Sequence, residues 1–339
     1  VQSIISKDWE NMKNKQILIT GGAGYIGSHV VLALCDSGYD VTVFDDLSLG
    51  FRSNVDDRAN FVQGSTLDQA ALKHVFSQHF DAVIHLAAFK AAGESMIHPQ
   101  KYSTNNINGT VNLLNAMVEA DVKHFIFSST AAVYGFPKYL PVDENHPLKP
   151  INYYGYTKLF VEQLLDWHSN LKNISFAALR YFNAAGYDEK GRIPNKEKNP
   201  ANLLPIVMEV ASGMRDSMAV FGNDYSTHDG TGVRDYIHVT DLATAHVKAL
   251  EYLMNSKKNL TVNLATGVGY SVLDVIKMAE KITGESIQYT LVARRPGDPD
   301  ELIAMSAIAE QKLQWTPEHS NLETLLKTMW VLYSKEKLI

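Results

Sequence analysis

The 339-residue chain has one cysteine, Cys35. A single thiol cannot close an internal disulfide, so a disulfide framework is excluded and a reducing, cytoplasmic setting is expected. Cys35 stands in the apolar run VVLALC (30–35), where it reads as core packing and not as a nucleophile. Long hydrophobic runs are also missing. None approaches the roughly 20 residues a bilayer crossing needs, so no membrane partner is expected. Nor is there an excess of positive charge. Lys and Arg number 31 against 37 Asp and Glu, for a net charge of -6, which does not suit a nucleic-acid backbone. Twelve histidines occur, yet none forms HExxH or a comparable ligand pattern, and His74 and His79, five apart, do not share a helix face. No metal is expected. Repeats and low-complexity tracts are absent, and the first eleven residues, VQSIISKDWEN, show no targeting pattern. They are read as an extension outside the fold.

What is present is alternation. Short β-branched runs at 16–20, 40–45, 60–64, 81–88, 124–130 and 174–182 read as strands, and 26–37, 68–79, 104–119 and 153–169 as helices. Near-continuous apolar strands separated by helices predict an α/β fold, a doubly wound parallel sheet covered on both faces. After residue 183 the pattern becomes irregular. YDEKGRIPNKEKNPANLL (187–204) is polar and rich in turn formers, long for an idle connection and of a kind that closes over ligands. A strand at 261–266 and a helix from Ser271 follow. The expected division is a Rossmann-type domain over 12–183 and a smaller, interleaved C-terminal domain over 184–339, with segments around 235–270 returning to the first.

ILITGGAGYIGSH is a strand, a glycine turn and a helix start, with Gly21, Gly24 and Gly27 spaced GxxGxxG. Glycines there permit a tight turn and close approach of a diphosphate to the free N–H groups of the helix, at Tyr25, Ile26 and Gly27. The next strand ends in Asp45, 24 residues after Gly21. Its carboxylate can accept both ribose hydroxyls of adenosine and would repel a 2′-phosphate, which favours NAD over NADP. Arg52, a few residues on, works against that preference, because an arginine can serve a phosphate.

Tyr154 and Lys158, in NYYGYTK (152–158), lie one turn apart on one helical face. Neither titrates near neutrality unaided. An ammonium and a positive nicotinamide beside the phenol favour its anion, and opposite charges at close range lower a pKa by about one to three units. That makes Tyr154 an expected proton acceptor for a sugar hydroxyl. FSSTAAVYG (127–135) supplies Thr130 at a strand end, where a hydroxyl can hold the substrate oxygen.

With these stretches in view, the chain resembles the extended short-chain dehydrogenase/reductases, and within them the UDP-glucose 4-epimerase family. TGGAGYIGSH, VIHLAAFKAAGES, NNINGTVNLL, FSSTAAVYG, YYGYTK, LRYFNAAG, FGNDYSTHDGTGVRDYIHVTDLA and RRPGD carry the likeness, which spans nearly the whole chain from Lys15. The resemblance implies NAD as cofactor and a hidden redox cycle. Hydride leaves sugar C4 while Tyr154 removes the O4 proton, the 4-keto sugar turns, and hydride returns to the opposite face, interconverting UDP-glucose and UDP-galactose. It also implies a grip on the nucleotide end. Arg234 and Arg295 would serve the phosphates, and Asn183, Asn202 and Leu203 the diphosphate region. Phe221 would support the uracil, and Tyr236 and Asp298 would contact its ribose. Lys90 and Asn105 would sit near cofactor and substrate. A homodimer through 104–119 and 153–169 is implied as well.

Two departures stand out. Ser65 occupies the place of a family aspartate that meets the adenine amine, and Thr130 that of a serine. Rival chemistries fit less well. A dehydratase of this superfamily would carry an Asp-Glu pair where Ala131 and Ala132 stand, and methyl groups cannot act as acid and base. A decarboxylase would need a cationic reader for the sugar carboxylate, and oxidation to the acid would need a thiol that Cys35 cannot supply. A non-catalytic NAD-binding regulator should have lost the Tyr/Lys pair. The open alternative is a UDP-N-acetylglucosamine 4-epimerase. By resemblance Leu302 lines the sugar pocket, where a bulky residue excludes the acetamide and a small one admits it, and leucine is intermediate.

Overall fold

The computed structural model describes residues 14–335 apart from Pro296; the first eleven residues therefore lie outside it. β1 (Gln16–Thr20), α1 (Tyr25–Asp36), β2 (Asp40–Asp45), β3 (Asn60–Gln63), α2 (Gln69–Val75) and β4 (Ala82–His85) open the fold. Short helices α3 (Ala92–Ile97) and α4 (Pro99–Tyr102) and a π-helical turn (Ser103–Asn108) lead into α5 (Gly109–Glu119). Then come β5 (His124–Thr130), α6 (Tyr153–Lys172) and β6 (Ser175–Tyr181). These strands form a parallel sheet in the order β6-β5-β4-β1-β2-β3, extended beyond β6 by the late strand β10 (Leu260–Leu264). The order reverses between β1 and β4, the switch point where α/β ligands gather.

Alternation along the strands sets the two covered faces. Ile17, Ile19, Val41, Val43 and Ile84 pack with α1 and with α8 (Val239–Ser256). Leu18, Phe44, Val83, Phe125 and Phe127 pack on the other side with residues of α2, α5 and α6. Full burial of each such side chain contributes about 1.5–3 kcal/mol. The remaining chain builds a second lobe. β7 (Asn183–Ala185), β11 (Gly269–Ser271) and β13 (Glu301–Leu302) surround β9 (Val233–His238), and β8 (Met218–Phe221) pairs with β12 (Tyr289–Val292). α7 (Leu203–Ala211), α9 (Val272–Thr283) and α11 (Leu322–Tyr333) share a core containing Val207, Ile276, Leu325 and Met329. α10 (Ala307–Leu313) returns to the sheet, against α8 and β10. Among the described residues no helix is long and apolar enough to cross a membrane.

Three elements begin or end three or more residues inside their expected bounds, for visible reasons. The strand expected over 81–88 ends at His85 because Leu86 and Ala87 turn in against Gly21. The helix expected over 68–79 stops at Val75, where the Ser77 hydroxyl donates to the His74 carbonyl and Phe76 packs edge-on to Phe80. The helix expected from 104 is α-helical only from Gly109. The wide turn before it turns Asn106 inward, where its amide holds both the N–H and the carbonyl of Phe89.

Candidate active site

The glycine loop between β1 and α1 is shaped by two positions that tolerate no side chain. Gly21 has φ +76, and a Cβ there would lie 2.5 Å from the Ala87 nitrogen. A Cβ on Gly27 would lie 2.0 Å from the Gly21 carbonyl oxygen. Gly24 caps α1 with no side-chain hydrogen bond, so the first N–H groups of the helix, at Tyr25, Ile26 and Gly27, point to where an anion can sit. The Tyr25 side chain is otherwise engaged. Its hydroxyl donates to the Gly186 carbonyl at 2.6 Å and its ring packs on Tyr187, so only its backbone is left for a ligand. Asp45 ends β2 with its carboxylate accepting from Ala23 N at 3.0 Å and Leu47 N at 2.8 Å. Burial raises its pKa against those two bonds. Ser65 accepts from Leu67 N at 3.3 Å. Cradle, uncapped helix start and strand-end carboxylate together fit a dinucleotide.

The loop after β7 folds back onto this cradle. Asn195 bonds to Asn54 and Ser53, and the Lys198 ammonium donates to the Gly50 carbonyl at 2.9 Å. Glu197 pairs with Lys90, whose ammonium lies 5.8 Å from the Tyr25 ring centre. Lys90 is thus placed beside the cradle, and Asn105 lies half-buried in the wide turn before α5.

α6 carries the expected acid–base pair, Tyr154 and Lys158. Asn152 caps it by accepting from Gly155 N at 2.8 Å, and the backbone of Tyr154 donates to the Ser95 hydroxyl at 3.0 Å. Lys158 donates to the Ser128 carbonyl at 2.7 Å, 4.8 Å from the Phe127 ring centre and 6.0 Å from that of Tyr154. The Thr130 hydroxyl stands close enough to the Tyr154 phenol to pull its pKa down, and it accepts from Ala132 N at 3.2 Å. Tyr154, Lys158 and Thr130 are therefore brought together. The lowering of the phenol pKa expected from sequence counts on a positive nicotinamide beside the ring, and burial of the phenol acts against it. Burial pushes Tyr154 up to about 12, with Thr130 pulling the other way. Burial likewise pushes Lys158 down to about 7, opposed by Glu162.

The second lobe assembles the expected nucleotide-end residues. The Arg295 guanidinium lies 3.8 Å over the Phe221 ring, and Arg234 is 3.5 Å from Asp298. Asn183 is the register partner of Tyr236 and donates to the Asp235 carbonyl. Tyr236 is buried. Asn202 and Leu203 stand at the start of α7. Leu302 pairs with Arg234 and packs partly buried on the cluster of Ala131, Val133 and Phe182, directly after Thr130.

The sequence pattern of the family described as "NAD dependent epimerase/dehydratase family" matches residues 17–265. The UDP-glucose 4-epimerase of Lactobacillus helveticus is 43% identical over 316 residues, 93% of this chain and 96% of the relative. The chain belongs to the NAD dependent epimerase/dehydratase family, among the UDP-glucose 4-epimerases. Two solved epimerases resemble it closely. The enzyme from Brucella ovis in complex with NAD has a TM-score of 0.92 at 42% identity, covering 94% of this chain and 98% of that one. The enzyme from Stenotrophomonas maltophila, with bound NAD and formylated UDP-arabinopyranose, has a TM-score of 0.90 at 40% identity with the same coverage.

Some parts of this epimerase's site escaped the sequence. The carbonyl of Ser128 takes the lysine, a role no side-chain pattern encodes. Asn106 links Phe89 to the Thr157 hydroxyl, which donates to the Tyr154 carbonyl. Asp235, between Arg234 and Tyr236, is buried and held near pKa 6 by that burial while its carboxylate braces Thr266 and Gly267. His228, Asp229 and Asp274 gather their ligand atoms within 4.8 Å. Both carboxylates are already used, Asp274 in the capping box of α9 and Asp229 by Ser271 and Thr231.

Proposed function

We propose that the chain interconverts UDP-glucose and UDP-galactose by oxidation and re-reduction at C4. The observation that carries the reading is the meeting of the Tyr154 phenol, the Lys158 ammonium and the Thr130 hydroxyl at the end of β5, beside a dinucleotide cradle. Gly21, Gly24, the N–H groups of Tyr25, Ile26 and Gly27, Asp45, Ser65, Lys90 and Asn105 would hold NAD. NAD held there would supply the hydride acceptor and donor for C4. Tyr154 takes the O4 proton and gives it back, Thr130 orients that oxygen, and Lys158 steadies the phenolate. Arg234, Arg295, Asn183, Asn202, Leu203, Phe221, Tyr236 and Asp298 grip the UDP. Binding energy spent there leaves the pyranose free to turn. Residues up to about 183 serve the cofactor in this reading, and those after it mainly the UDP-sugar.

The purified protein should therefore turn over C4-deuterated UDP-galactose with no added cofactor and keep the label on C4. Loss of the label to water would reject the hidden redox cycle. Leu302 decides the second substrate. If its intermediate size admits an acetamide, kcat/KM for UDP-N-acetylgalactosamine will be measurable in the same assay, and no detectable turnover would restrict the enzyme to plain hexoses.

A cytoplasmic homodimer completes the proposal. Tyr156, Trp167 and Leu171 are exposed along α6, with Met96 and Ile97 of α3 also exposed and Tyr153 N donating to the Met96 sulfur. Exposed apolar side chains of this kind along one helix and its neighbour suit an isologous helix-to-helix contact. Trp167→Asp should sediment as a monomer where the parent sediments as a dimer.

A further inference from the structure

α6 presents Tyr154, Lys158 and Glu162, one turn apart, to three consecutive residues at the end of β5. Thr130 meets the phenol and the Ser128 carbonyl takes the lysine. The third contact has no part in the chemistry described above. The Ser129 hydroxyl donates to Glu162 Oε1 at 2.5 Å. Arg180, the register partner of Ser129 on β6, closes a two-point pair with the same carboxylate, Nε to Oε1 at 3.0 Å and Nη2 to Oε2 at 2.6 Å. Its Nη1 donates to the Tyr134 hydroxyl at 3.0 Å, which donates to Asn263 Oδ1 at 2.6 Å. Glu162, Ser129 and Arg180 are 6%, 0% and 5% exposed. One carboxylate thus ties the catalytic helix to two strands of the sheet.

A brace alone needs no charge, since a buried ion pair is often replaced by apolar side chains without loss of stability. This anion also sits one turn behind a buried ammonium whose own hydrogen bond goes to a neutral carbonyl. We infer that Glu162, clamped by Ser129 and Arg180, is a positioning residue for the proton transfer. It fixes α6 in register against β5 and keeps Lys158 charged beside the phenol.

The other groups facing Lys158 do not supply that field. From β4, His85 is held neutral between the Thr20 and Thr110 hydroxyls, its pKa pushed down to about 3 by burial and then by Lys158. From β6, Tyr181 has its phenol pushed up by burial, and Arg180 is spent on Glu162. β5 offers the Phe127 ring and the Ser128 carbonyl. On α6 itself, Tyr154 is neutral until it gives up its proton. Glu162 is the charged group that opposes the burial of Lys158.

The inference rests on the epimerase reading, so two readouts are paired. pH profiles of kcat for UDP-galactose are compared between the parent, Glu162→Gln and the double variant Glu162→Met/Arg180→Met. The alkaline limb should move acid-ward by about one pH unit in both variants. The kcat loss at about pH 8.5 should then exceed that at about pH 6 by roughly tenfold, with KM within about twofold. Tyrosinate absorbance is titrated in each background against its Tyr154→Phe counterpart, and the onset of the Tyr154 phenolate should move to higher pH when Glu162 is replaced. If Glu162→Gln fails to fold because Arg180 is left unpaired, the double variant, which buries no unpaired charge, carries the same comparison. An equal loss at both pH values with an unmoved titration would reduce Glu162 to a brace and overturn the inference. A parent that does not turn over UDP-galactose would instead reject the epimerase reading, and the phenolate titration would still test Glu162.

Discussion

Tyr154→Phe should cut kcat for UDP-galactose by about a hundredfold or more, with folding and NAD retention unchanged. The ring stays and the proton acceptor goes. Tyr154 is half-buried, its backbone N–H donates to the Ser95 hydroxyl, and its phenol lies beside Thr130. Phenylalanine keeps the packing and loses only the polar approach to Thr130, so the melting temperature should shift by little. Lys158 and the glycine loop are untouched, so the denatured variant should release as much NAD as the parent. KM should change less than kcat, because in the proposed site the UDP is held by residues of the second lobe. Turnover near the parent's rate would remove Tyr154 from its assigned role.

Much of the first lobe was legible because local pattern and tertiary role agree there. The strands at 16–20, 40–45 and 124–130 stand at their expected residues. Their apolar runs are short, bounded by turn residues and buried on both faces, so period and burial say the same thing. The helix from Tyr153 was legible for the same reason, and Asn152 marks its start. The second lobe was less so. β13 is two residues long and exists because Arg234 and Val233 offer it an edge, and no local run of side chains announces such a strand. The site divides along the same line. Tyr154 and Lys158 could be paired from their spacing, but Glu162 acquires meaning only through Arg180 and Ser129, which are distant in sequence. The rise that burial gives the phenol was not legible, because spacing reveals charge neighbours and not desolvation. Here burial is the larger effect on both Tyr154 and Lys158.

That imbalance makes Lys158→Met the sharper experiment, since it should lose activity and gain stability at once. Without the ammonium the phenolate loses an opposite charge at close range, and the lost electrostatic help of about one to three pKa units predicts a kcat roughly tenfold to a thousandfold lower at neutral pH. Turnover should then climb with pH across the range the protein survives, since each unit brings about ten times more phenolate. Stability should move oppositely. Lys158 titrates near 7 in the native protein against an ordinary value of 10.5. Between those values the unfolded chain holds a proton that the native protein has shed. The penalty for burying the ammonium is therefore full below about 7 and fades as pH rises towards 10.5. Methionine carries no such penalty, and its thioether can pack on the Phe127 ring that the ammonium now faces. The variant should melt above the parent near neutral pH, and the gap should narrow steadily under alkaline conditions. A variant that melts lower at neutral pH, or whose residual turnover is flat with pH, would show that the buried ammonium neither costs the fold nor tunes the phenol.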